Sequence, residues 1–153
     1  MQNEQLPLGD RLLRVFGFLD ANGVSEPEEA AWSLAVPPLI FKKLNNNPGR
    51  NLRALAEIVI YFAEMVSEDV RLNFIQRKCS WTKLSTRCVE LFQLRNMSHM
   101  TIVFHMSQSI LSQLDRGTAS PAMTRLMELA VVLAENLTHA QRMEFRANTW
   151  VFL

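Results

Sequence analysis

The feature that most constrains this chain is the recurrence of helix start and stop signals from one end to the other. Asp10 stands where it can cap a first helix with apolar positions Leu12, Leu13, Val15, Phe16 and Leu19, and Asn22-Gly23 supplies a stop. Ser25 with Glu28 has capping-box spacing, and Pro27 falls in the first turn, where a missing N–H costs nothing. That second helix has to end at Pro37-Pro38, and a short turn over Leu39 to Leu44 follows. After the loop Asn45-Asn46-Asn47-Pro48-Gly49, Asn51 is positioned to cap a long helix to about Val66 that is apolar on nearly every side and therefore belongs at the centre of a core.

Ser67, followed by Glu68 and Asp69, opens a segment through about Lys78; further helices are expected over Trp81 to Arg95, Ser98 to Arg116 and Pro121 to Asn136. Thr138 with Gln141 opens the last one. No apolar–polar alternation is flanked by hairpin turns, so no sheet is expected. Junctions near 66/67, 80, 97 and 137 are too short for long antiparallel hairpins. The expectation is an all-α, compact single-domain bundle over residues 1–153, with about six to eight helices and several crossed packings. Its core should include Phe16, Leu19, Leu55, Ile58, Val59, Phe62, Leu84, Leu91, Val103, Leu126 and Leu133.

With 153 residues, 48% of them hydrophobic, the chain is long enough to bury a core without disulfides or metal. Two cysteines do not make a secreted disulfide scaffold, and the polar start from Met1 to Gly9 does not read as a signal peptide, so an intracellular, by default cytoplasmic, setting is expected. The apolar run Ile58 to Ala63 is far shorter than the roughly 20 residues of a membrane span.

Candidate chemistry is sparse. The segment from Asp20 fails as a calcium loop: Ser25 stands where the turn needs glycine and Ala31 where a bidentate glutamate is required. Cys79, Cys88, His99 and His105 are ligand types that zinc prefers, but their spacings match no paired-ligand pattern. Cys88 as a nucleophile, with His99 or His105 as base, has Lys83 and Arg87 nearby to lower a thiol pKa; it also shares a stripe with Trp81, Leu84 and Leu91, which reads as core. No phosphate loop or serine-nucleophile elbow is present, so neither enzyme activity nor a cofactor is expected.

Two partner readings remain. Six of the eight methionines lie at or beyond Met97, and the chain's last residues are apolar. Unbranched thioethers adapt to irregular partners. This supports a helical interaction module or adaptor that docks a protein, or a second copy as a homo-oligomer, through Met100, Phe104, Met106, Trp150, Phe152 and Leu153. Charge supports the alternative. The net charge is only +1, yet residues 71–95 hold Arg71, Arg77, Lys78, Lys83, Arg87 and Arg95 against Glu90, interleaved with Phe74 and Trp81. That is the composition of a nucleic-acid (RNA) footprint, to which the acid-free stretch with Lys42, Lys43, Arg50 and Arg53 would add.

Overall fold

The computed structural model describes residues 6–20, 23–24, 27–74 and 82–148. The fold is all-α, with ten helices among the described residues: α1 (Leu8–Val15), α2 (Pro27–Leu34), α3 (Leu39–Asn45), α4 (Arg50–Met65), α5 (Glu68–Phe74), α6 (Leu84–Leu91), α7 (Met97–Phe104), α8 (Gln108–Arg116), α9 (Pro121–Glu135) and α10 (His139–Asn148). One antiparallel ladder of two residues a side, Leu19–Asp20 against Gly23–Val24, is present where no strand was expected; it is too short to change the class.

One expected helix is broken in two, which adds to the count beyond the expected six to eight, and others are shorter than expected. The segment expected over Ser98 to Arg116 is two helices: α7 stops at His105, which takes a left-handed conformation (φ 54°), and Ser107 restarts the chain by accepting a bond from the Ile110 N–H. The segment expected over Trp81 to Arg95 contracts to α6, which ends in a Schellman turn: the Gln93 N–H donates to the Glu90 carbonyl, the Leu94 N–H to the Val89 carbonyl, and Gln93 sits at φ 53°. α1 ends in the same motif, at Gly17 (φ 85°), five residues before the stop expected at Asn22-Gly23.

α4 and α9 are the spine, packed along each other, with α1 and α3 on one side and α6, α7 and α8 on another. Nine of the eleven expected core residues are buried; Leu91 is partly buried, and Leu19 is described only in its backbone. At the centre lies an aromatic cluster in which Phe145 of α10 meets Phe62 at 4.7 Å, Phe92 at 5.2 Å and Phe104 at 5.5 Å between ring centroids. All four rings are fully buried.

Several helix ends are satisfied from elsewhere in the chain. The Asn45 side-chain oxygen accepts the Gly9 N–H at 2.7 Å, closing the start of α1 from the end of α3. Gly9 is required there: a Cβ would meet the Phe41 carbonyl oxygen at 2.3 Å. Asp115 on α8 accepts both the Thr86 N–H (2.8 Å) and the Thr86 hydroxyl (3.0 Å) at the start of α6. Asn51, expected to cap its own helix, instead accepts the Ser107 N–H at 2.7 Å and so ties the capping residue of α8 to α4, while Gly49 holds the capping position of α4. Local signals also act as the residues predict: the Ser67 hydroxyl accepts the Val70 N–H at 3.3 Å at the start of α5. Ser120 caps α9 ahead of Pro121, and Thr138 and Gln141 close a reciprocal capping box.

Candidate docking groove at the α2–α3 corner

The corner between α2 and α3 is built by a short, sharply turned sequence. α2 ends at Leu34, and Ala35 takes the left-handed conformation (φ 57°) that lets the Val36 N–H return to the Ala31 carbonyl. The Arg125 Nε donates to the Leu34 carbonyl at 2.6 Å from α9, and its Nη1 donates to Glu128 at 3.3 Å, so a buried guanidinium fixes the end of α2 against the spine. Pro37-Pro38 then prevents continuation, and α3 starts at Leu39.

Among the described residues three large apolar side chains are exposed: Trp32 (84%), Leu39 (75%) and Ile102 (68%). Trp32 belongs to α2 and Leu39 opens α3, so two of the three flank this corner. Leu39 also lines an open groove of about 470 Å³ with Pro37, Ile40, Ala122, Lys42 and Lys43. Ile40, at 4% exposure, is its floor. A second cleft of about 260 Å³ shares Ile40, Lys43 and Ala122 with the first and extends toward Pro48 and Arg50, over Leu52 and Met123. A third, of about 570 Å³, shares Pro48 and Arg50 with the second and reaches Arg11 and Arg53. The three therefore adjoin as one winding surface, aliphatic at one end and cationic at the other.

No aspartate or glutamate lines any of the three clefts. Arg11 is committed inward, donating to the buried Glu57 carboxylate of α4. Lys42, Lys43, Arg50 and Arg53 are exposed and take part in no ion pair among the described residues. His105, behind this end of the molecule, has its pKa held below the ordinary histidine value by burial and by the positive charge of Arg50.

The residues singled out from sequence fall differently. Met100, Phe104 and Met106 are fully buried, so they form core and not a surface for a partner. The break at His105 is the reason. With α7 and α8 as separate helices, each turns its own apolar side inward, Met100, Val103 and Phe104 from one and Leu111 and Leu114 from the other. Trp150, Phe152 and Leu153 lie outside the described residues.

Of the basic stretch, Arg77, Lys78 and Trp81 lie outside the described residues, and Phe74 is described only in its backbone. Arg71 is half-buried. Arg87 is drawn into the fold, donating to Glu135 of α9 at 2.8 Å and to Glu90 at 3.3 Å. These bonds hold its pKa above the ordinary arginine value. Lys83 and Arg95 are exposed.

Cys88 is fully buried on α6, as its place on the Leu84 stripe suggested. His99 accepts the Arg95 N–H at Nδ1 (3.1 Å), and its pKa is lowered by burial and then by Arg95 and Arg146. Cys79 lies outside the described residues. Among the described residues no group of three or more histidine, cysteine, aspartate or glutamate side chains comes together as a metal site, and no helix is long and apolar enough to cross a membrane.

Sequence reasoning missed the α2–α3 groove because it weighed methionines and charge runs and passed over Trp32. The signal was present: a tryptophan at the end of a helix, a Pro-Pro stop, and a seven-residue helix carrying Leu39, Ile40, Phe41 and Leu44, more apolar residues than one buried stripe of two turns accommodates. Comparison with known proteins finds no matching family model, no matching curated protein and no matching solved structure.

Proposed function

We propose that this protein is a non-enzymatic helical interaction module and that it docks a protein partner at the α2–α3 corner. The observation that carries this reading is an open aliphatic groove lined by Leu39, 75% exposed, with Trp32, 84% exposed, on the preceding helix α2, whose end Arg125 ties to the spine. Single exposed apolar residues are ordinary on any surface, but two large ones flanking a corner with an adjoining apolar groove form the kind of patch that partners cover. Tryptophan is also among the residues that most often anchor an interface. Placing a rigid apolar groove on a supported corner keeps the ordering cost of association small.

The nucleic-acid reading over residues 71–95 is less supported, since Arg87 is neutralised by Glu135 and Glu90 and Arg71 is half-buried.

The double substitution Trp32→Ser with Leu39→Asp tests the proposal. Both side chains are exposed, so the free energy of unfolding should change by no more than about 0.5 kcal/mol. Tagged protein recovered from cells of its source should elute with a partner in the native form and at monomer mass in the variant. A variant that retains the larger complex contradicts the proposal.

A further inference from the structure

The winding surface also specifies the chemistry of what it binds. Its first cleft is aliphatic, walled by Pro37, Leu39, Ile40 and Ala122, with Lys42 and Lys43 on the rim. Beyond Lys43 the lining changes to Arg50 and then Arg53, around the Pro48-Gly49 loop. These four cations have no carboxylate of their own to face, in a chain whose net charge is only +1. A partner that filled the groove with apolar side chains alone would draw Lys43 and Arg50 out of water without compensation, and burying unpaired charge is costly. An occupant with carboxylates spaced beside its apolar residues removes that cost and gains speed of encounter from the uniform sign of the surface.

We infer that the groove takes an acidic amphipathic peptide segment of a partner protein, its apolar side chains between Leu39 and Ala122 and its carboxylates on Lys43, Arg50 and Arg53. This rests on the docking reading above and adds the partner's charge to it. Nucleic acid fits the same cations less well, because no aromatic side chain lines any of the three clefts to stack a base beside them, and the exposed Trp32 stands outside their lining.

Selection of a displayed library of random 16-residue peptides on the folded full chain tests the inference. The expected winners combine Asp or Glu with Leu, Ile or Phe. They should lose at least about tenfold in affinity on Lys43→Glu with Arg50→Glu, a loss of the size seen when charge complementarity is reversed. Peptides with their acids changed to lysine should recover affinity for that variant. Leu39→Asp should abolish binding of both sets. Lys42→Glu with Arg53→Glu, a second reversal at exposed side chains, should weaken the same peptides, and circular dichroism should be that of the native chain for every variant.

Neutral or basic winners that still depend on Leu39 overturn the acidic-partner inference and leave the docking reading standing. Absence of any Leu39-dependent winner overturns both. A single-stranded RNA 20-mer that binds the native chain, is lost on the charge reversal and is indifferent to Leu39→Asp also overturns the inference, in favour of a polyanion surface.

Discussion

Replacing Arg11 by alanine is expected to lower the free energy of unfolding by about 2–4 kcal/mol. The loss does not come from the arginine's own surface. Glu57 lies on the central helix α4 with only 8% exposure, and Arg11 from α1 is its ion-pair partner. Truncating Arg11 strands a buried carboxylate against the core without its ion-pair partner. Urea unfolding followed by circular dichroism measures the cost. The companion experiment separates pair from packing: Arg11→Met together with Glu57→Leu replaces both ends by apolar groups of comparable reach and should recover most of the loss, since a buried ion pair is worth little more than well-packed apolar residues. If the single variant is as stable as the native chain, α1 is not anchored in this way.

The second large effect is expected at Phe145. Its ring is fully buried and touches Phe62, Phe92 and Phe104, so one side chain of α10 joins residues that follow or belong to α4, α6 and α7. Phe145→Ala should cost about 3–5 kcal/mol, the sum of lost transfer free energy and the cavity left among the three remaining rings. Because Phe145 supplies the fully buried ring of α10, whose other ties include Gln141 to the Met65 carbonyl and Arg142 to the Ala134 and Leu137 carbonyls, the amides of α10 should also lose hydrogen-exchange protection before those of α4. Equal loss across both helices would instead place α10 inside the same cooperative unit as the spine.

The class of fold was legible because its strongest signals are local. Pro121 after Ser120, the Thr138–Gln141 pair and the all-round apolar run of α4 each determine their own structure from neighbouring residues, and the structure follows them. Boundaries were misjudged where an end is set by something the local sequence does not show. Ala35, Gln93 and His105 end helices in the left-handed conformation without being glycine. That conformation costs an ordinary residue roughly 1–2 kcal/mol, and only tertiary packing makes it worthwhile. Other ends depend on a distant donor or acceptor, as Asn51 serves Ser107 and Asp115 serves Thr86.

The site was less legible for the same reason. A run such as Met100 to Leu114 looks apolar on several faces only while it is taken as one helix; broken at His105, its two halves bury Met100, Phe104 and Met106 in the core. Charge misled similarly, because the sequence places Arg87 in a basic run whereas the fold sets it against Glu135, 48 positions away. By contrast Lys42, Lys43, Arg50 and Arg53, read only as an addition to a nucleic-acid footprint, are spread along the three adjoining clefts that begin at the α2–α3 corner.

Site-specific photo-crosslinking in cells shows whether a partner sits in the α2–α3 groove. A benzophenone side chain at Asn46, exposed and lining the groove, should give a discrete heavier adduct containing a second protein. The same group at Gln108, exposed on α8 and outside all three clefts, should give none. Equal adducts from both positions, or adduct from Gln108 and none from Asn46, would contradict the account.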